Sequence, residues 1–380
     1  MKPETCNLQP WTFSWLHMRL LDRHIFRELI GPFLFGVAAF SSLMFAGKEL
    51  FQITELLAEY HAPLLKAVKL FALRIPAIVV MTLPMAMLLS ALLGFGRLSG
   101  DSEVVALFAG GVSLYRIAVP VIFMSLIVTA LSFTLSEAVT PGMTSEYERL
   151  RRELMKQQLS SEKPFFVPDS KDGVTKSIVW VQGGFDQSTR SLRNVTMIRF
   201  WNNNPTAFVY AKKAVWKEGN AWSFREGYFQ IVNADQSVRV PFQRFDTREI
   251  KLNKTPDQLA LYQKKPDEFS FAELRDFIGM LQDEGSDVTE YRVRLYQKIA
   301  LPMASLIFAL IGAPLGLRPH RSSSAMGLGL AIVIIFGYWV LMHYMTILGD
   351  NGAVTPAAAA FIPTFLGCAA GIALIARAAK

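Results

Sequence analysis

Six stretches of the chain are apolar and uncharged for long enough to cross a bilayer as helices, which takes about 20 residues. They are Leu29 to Gly47, Ile75 to Gly96, Ile117 to Ser136, Ile299 to Leu317, Ser322 to Gly349 and Gly352 to Ala376. Between the third and the fourth lies a polar insert, Glu137 to Lys298. The pattern predicts an α-helical integral membrane protein with six transmembrane helices, arranged as three, an insert and three more.

Inside the insert the period changes. From Pro164 to Leu252 it is two: Ile178, Trp180 and Gln182 alternate with Val179 and Val181, and Tyr228, Gln230 and Val232 with Phe229 and Ile231. Turn signals interrupt it at Asp172-Gly173, Asn202 to Pro205, Glu218-Gly219-Asn220, Glu226-Gly227 and Asn233 to Gln236. Trp216 and Trp222 flank the Glu-Gly-Asn turn as two sides of a hairpin would. Short strands broken by regular turns predict an all-β sandwich, jelly roll or barrel-like module. After Lys254 the helical period returns. Ser270 with Glu273 three residues on forms a capping box ahead of Phe277, Ile278 and Leu281, and Gly285 can close that helix. A second helix starting near Thr289 should run directly into the fourth span.

The expected division is a cytoplasmic interfacial helix in 1–28, spans one to three in 29–136, an extension of helix three in 137–163, a β domain in 164–265, a helical return stalk in 266–298 and the last spans in 299–376. Arg19, Arg23 and Arg27 recur every four residues, which suits a helix lying on anionic headgroups. That leading segment is too long and too charged for the basic region of a signal peptide. Basic residues set the topology. With the amino end inside, Lys2, Arg19, Arg23, Arg27, Arg97, Arg116, Arg318, Arg321, Arg377 and Lys380 are cytoplasmic, and the loop around Asp350 to Gly352 outside has no basic residue. An even number of spans then leaves both termini inside and the insert outside.

Composition agrees. Of 380 residues, 52% are hydrophobic and 18% charged, against about 25% charged in ordinary soluble proteins, which excludes disorder and a disulfide scaffold. The net charge of +8 suggests nucleic acid until it is located. Residues 160–265 hold 17 basic against 10 acidic side chains, so most of the excess belongs to the exported β domain, while 266–298 is acidic with 8 against 4. Cys6 and Cys368 sit in settings too different to suggest a disulfide. No G-x-x-x-x-G-K-[ST] occurs, so ATP cannot bind through a P-loop of this chain. The six runs contain no carboxylate that could partner His343 of the fifth in proton transfer, and Trp339 and Tyr344 suggest a satisfied interior or interfacial histidine. Pro76 and Pro84 kink the second span, and the Gly312/Gly316 and Gly367/Gly371 pairs suit close helix packing.

Two places could carry mechanism. Between spans two and three, Asp101 or Ser102 can cap a short helix from Glu103 to Phe108 that exits at Gly110-Gly111. Read alone, it is a solvated turn with a glutamate that suits the helix dipole. Lys48 ends the first span, where a lysine ordinarily snorkels to headgroups and Glu49 beside it could neutralise it.

The chain resembles the LptF/LptG (YjgP/YjgQ) permeases of the lipopolysaccharide export ABC transporter. The resemblance rests on the overall layout, on Leu88 to Leu98 with Ser102-Glu103-Val-Val and Ala109-Gly-Gly, and on Lys254-Thr-Pro-Asp-Gln-Leu259. It implies a periplasmic jelly-roll-like β domain and a coupling helix near 102–110 in which Glu103, with Asp101 and Ser102 beside it, meets a cytosolic ABC ATPase dimer. It implies lipid-phosphate contacts at Lys48 and in the region of Arg149, Arg151 and Arg152, arginine being suited to phosphate by its planar fork. The function so implied is that of a permease subunit which extracts lipopolysaccharide or a similar anionic glycolipid and passes it to a periplasmic bridge. Catalysis, metals and cofactors are not expected in the chain itself; ATP and Mg would be held by the partner ATPase, and a second permease of the family would stand opposite. An ABC permease for another lipid or a lipoprotein, or a non-transporting scaffold with a periplasmic binding domain, are the other readings of the same layout.

Overall fold

The structure, a computed structural model, describes residues 20–58, 63–156, 164–317 and 324–378, apart from short turns at 172–173, 187–188, 202–203, 218–220, 234–237 and 253. Six of its helices are long and apolar enough to cross a membrane. The first, α1 (Leu20–Met44), passes through a π turn at Phe45–Glu49 into α2 (Leu50–Ala58). No break separates the expected interfacial helix from the span: Arg23 and Arg27 share an exposed face of α1's opening turns, and Arg19 lies outside the described residues. The second, α3 (Leu64–Gly100), leads through α4 (Glu103–Ala109) to α5 (Leu114–Thr134). A π turn at Leu135–Val139 continues α5 into α6 (Thr140–Lys156), and the Thr140 hydroxyl donates to the Leu135 carbonyl at 3.0 Å there. Both π turns fall where an apolar run gives way to polar chain.

The insert is an antiparallel sheet of β1 (Phe165–Lys171), β2 (Val174–Val181), β3 (Phe185–Asp186), β4 (Ser191–Trp201), β5 (Asn204–Lys217), β6 (Ala221–Val232) and β7 (Val238–Lys251). The all-β insert read from the period of two is there, and its strand order is a meander, β1-β2-β4-β5-β6-β7, with β3 beside β4. Trp216 pairs with Trp222 across the expected hairpin. Val179, Val181, Val195, Met197, Ala211, Trp222 and Phe224 bury one face into a single core. Further along the same face, Val209, Phe229 and Ile231 are only partly covered.

The return begins with α7 (Pro256–Leu261), closed at its start by a Thr255/Gln258 capping box. In α8 (Phe271–Asp283) the Ser270 hydroxyl accepts from the Glu273 N–H at 3.3 Å and the Glu273 carboxylate accepts from the Ser270 N–H at 2.9 Å, which holds that carboxyl below the usual glutamate range. Gly285 ends the helix at φ +71°. The fourth span, α9 (Thr289–Gly316), starts at Thr289 as the pattern indicated, and α10 (Ser324–Asp350) and α11 (Pro356–Ala378) complete the bundle.

The small-residue pairs serve packing within the chain. A Cβ on Gly312 would stand 2.7 Å from Ala91 Cβ of α3, and one on Gly316 would stand 2.8 Å from Phe95 Cβ and 3.0 Å from the Ala91 carbonyl. Gly367 and Gly371 of α11 lie as close to Ile307 and Leu310 of α9. His343 faces out of the chain, so of the interior and interfacial settings the interior one does not hold: α10 buries Tyr338, Met342 and Met345 instead.

Ionic contacts tie the sheet and stalk to the helices. Glu137, in the π turn, accepts from the Phe271 N–H at 2.5 Å and from Lys298 at 3.4 Å, joining α8 and α9 to helix three. Lys265 pairs with Glu148, and Arg152 stands 3.9 Å from Glu268, whose carboxyl burial pushes upward in pKa. Lys254 pairs with Glu284 in a buried setting, the Tyr262 hydroxyl donates to the other Glu284 oxygen at 2.5 Å, and Trp222 Nε1 donates to the Lys254 carbonyl at 3.2 Å. Burial and this bond push the Tyr262 hydroxyl pKa well above its ordinary value.

Two outcomes follow. Gly316→Val should destabilise the bundle by about 1–3 kcal/mol through overpacking against α3, read as a lower thermal midpoint in detergent. Lys254→Met should destabilise the sheet–stalk junction by about 3–5 kcal/mol by leaving Glu284 buried and uncompensated. Lys254→Met with Glu284→Gln should recover most of that loss, with Trp222 fluorescence as the probe.

Candidate functional site

At the end of the helix bundle remote from the sheet, α3 gives way to α4. The turn is tight: the Asp101 N–H donates to the Arg97 carbonyl at 2.9 Å, the Ser102 N–H to Ser99 at 3.2 Å, and the chain reverses within one residue. Ser102 makes that reversal at φ 60°, in the left-handed region, and its side chain caps nothing. The expected cap by Asp101 or Ser102 is therefore not formed. A left-handed residue turns the chain without presenting its hydroxyl to the new helix, and Asp101 lies 4.0 Å from Arg97 of its own helix instead. The short helix itself, expected from Glu103 to Phe108, runs from Glu103 to Ala109, and Gly111 leaves it at φ +77°.

Glu103 opens α4 with its side chain 44% exposed, and one carboxylate oxygen is 2.9 Å from His24 Nε2. Beneath it Val104 is buried among Ile25, Leu98 and Ile117, so α1, α3 and α5 all seat the short helix. Next to this pair Asp22 receives both terminal nitrogens of Arg116, at 2.6 and 2.7 Å. Arg97 reaches Glu28 at 3.4 Å. The arrangement can present one carboxylate, on a firmly seated helix, to a cation on another molecule. Sequence reasoning missed His24 and Asp22, and so the pairing of Glu103 and Arg116 with them. Each pair joins residues 79 or 94 positions apart, and no local spacing signals it.

The other candidates do not gather in one place. Lys48 is described by its backbone, within the π turn of helix one. Its neighbour Glu49 is 4% exposed and takes Arg74 Nε of α3 at 2.8 Å, and the Arg74 guanidinium lies over the Tyr147 ring at 5.4 Å. The π turn aims Glu49 across to α3, and the neutralising role suggested for it toward Lys48 concerns a side chain that lies outside the described residues. Arg149 is exposed and bonded to Glu146 at 2.8 Å. Arg151 is half-buried, and its Nε makes no hydrogen bond among the described residues. Arg152 turns toward Glu268. Three arginines close in sequence leave helix α6 in three directions, because successive residues on a helix are about 100° apart. Among the described residues, no group of three or more His, Cys, Asp or Glu side chains is placed to hold a metal.

The sequence can be set beside known proteins at this point. It is 26% identical over 275 residues to the lipopolysaccharide export system permease protein LptG of Escherichia coli strain K12, which covers 70% of this chain and 72% of that protein. To LptG of Haemophilus influenzae it is 25% identical over 317 residues, covering 80% of this chain and 83% of the relative. The sequence profile of the lipopolysaccharide export system permease LptF/LptG matches residues 23–377. That span takes in all six apolar helices, the inserted sheet and the seated Glu103, and the chain belongs to the LptF/LptG family of lipopolysaccharide export permeases.

Proposed function

We propose that this chain is the membrane permease of an ATP-driven exporter, which draws lipopolysaccharide or a similar anionic glycolipid from the inner membrane and delivers it to a periplasmic bridge. The observation that carries the reading is the position of Glu103, exposed at the start of a short helix wedged among α1, α3 and α5. A docked ATPase pressing on that helix would move three spans at once. The ATPase is a separate polypeptide that binds ATP and Mg, and a second permease of the family completes the lipid path.

The apolar surface supports this reading. Only 17% of the most apolar window of the first span is buried within the chain, and Leu34, Phe35 and Leu43 stand 61%, 62% and 68% exposed on it. A lipid with several acyl chains needs such a wall, since each CH₂ left in water costs about 0.8 kcal/mol. The partly covered Val209, Phe229 and Ile231 extend an apolar track along the sheet beyond its filled core. Lys48, at the outer end of span one, is assigned to the lipid's phosphates. Arg149, engaged by Glu146, and Arg151, half-buried, are weaker partners for them.

Glu103→Ala should leave the amount of chain in the membrane unchanged and lower recovery of a co-purified P-loop ATPase about tenfold or more, the loss of one charge-assisted contact of about 1.5–3 kcal/mol. Full recovery of the ATPase with normal lipid release would contradict the assignment. A photo-crosslinking side chain at position 48 should capture glycolipid during transport, and capture of none would remove Lys48 from the lipid path.

A further inference from the structure

The opening turns of α1 are held by apolar burial, a hydrogen bond and three ionic contacts. Ile25 and Leu29 are fully buried against Leu98, Val104 and Ile117. The Ser90 hydroxyl of α3 donates to the Leu29 carbonyl at 2.7 Å. Three ionic contacts then reach three different elements: His24 to Glu103 of α4, Asp22 to Arg116 of α5, and Glu28 to Arg97 of α3. Beyond this point α1 runs outward with most of its apolar surface uncovered.

A helix pinned at this end, resting one face on α3 at Gly36 and Phe40 and leaving the other uncovered, can carry a displacement of that end along its length. The Asp22–Arg116 contact is bidentate and mostly shielded, with side chains 16% and 29% exposed, and a paired fork fixes direction as well as distance. The His24–Glu103 contact is half in solvent, so its contribution to stability is small, and its importance is geometric. It holds one oxygen of the Glu103 carboxylate, while the other makes no hydrogen bond among the described residues. His24 thereby fixes which way the free oxygen faces.

We infer that the amino end of α1 is clasped to the coupling helix, with His24 as a positioning residue for Glu103 and Asp22–Arg116 as the anchor, so that displacement of α4 is delivered directly to the first span. This rests on the assignment of Glu103 to ATPase docking. The clasp makes α1 the moving wall of the lipid path: its fixed end takes up the push and its uncovered apolar length sweeps the lipid.

The test uses the permease complex, with its ATPase, in proteoliposomes loaded with lipopolysaccharide, and reads lipid released per ATP hydrolysed. Asp22→Arg and Arg116→Asp should each lower that ratio about fivefold or more, the scale of a coupling energy between linked sites, with ATPase recovery unchanged. The double exchange, Asp22→Arg with Arg116→Asp, should restore the ratio. His24→Ala should lower it, and His24→Gln, which keeps an N–H donor, should not. A wild-type ratio in the single variants, or no recovery in the double exchange, overturns the clasp while the docking assignment stands. A wild-type chain that brings down no P-loop ATPase overturns the docking assignment and the relay with it.

Discussion

The close approach of α3 and α9 is the contact on which the rest of the molecule depends. In a bilayer there is no water to drive apolar helices together, so association relies on backbones that come near enough to pack. Gly312 and Gly316 provide that nearness, lying where any side chain would meet Ala91, Leu88 or Phe95. With α9 seated, α3 is 78% buried over its most apolar stretch, which explains why it is apolar on all sides and carries Thr82 and Ser90 only where they find partners. The Ser41 and Thr82 hydroxyls lie 3.0 Å apart, and Ser90 bonds to the Leu29 carbonyl. This closely packed spine leads through one turn into α4, the helix proposed to meet the ATPase.

At the other end of the bundle the problem is electrostatic. Each π turn occurs where an apolar helix meets polar surroundings and holds a carboxylate, Glu49 in helix one and Glu137 in helix three. Both are engaged across helices, one oxygen of Glu49 by Arg74 and Glu137 by Lys298 and the Phe271 N–H. These contacts fix the angle at which α6, α8 and α9 leave the bundle, and the Lys254–Glu284–Tyr262 group fixes the sheet on the stalk. The sheet is thereby mounted on spans three and four by paired charges along the stalk, while at the opposite end α1 is tied to α3, α4 and α5.

Much of this was legible in the residues themselves. The apolar runs, the period of two, the Trp216–Trp222 hairpin and the Ser270–Glu273 capping box are local patterns, and local patterns survive without knowledge of the fold. Polar chain that stays helical was legible as well, in the extension of helix three past Thr140 and in the helix that runs from Thr289 into the fourth span, because turn signals and capping residues mark helix ends where hydropathy does not. Ser102 was taken for a cap because its type and place suit one, whereas the one-residue reversal after α3 demands a left-handed backbone. Glu103 was singled out by resemblance; that His24 holds it depends on two segments brought together only by the bundle.

The central claim is that this fold carries a glycolipid and releases it when ATP is turned over elsewhere. Its most direct test is native mass spectrometry of the permease complex purified from membranes, before and after ATP and Mg are added. A bound species with the mass of lipopolysaccharide or a related anionic glycolipid should be present and should disappear on ATP turnover. Bulk phospholipid as the only bound lipid, unchanged by ATP, would contradict it.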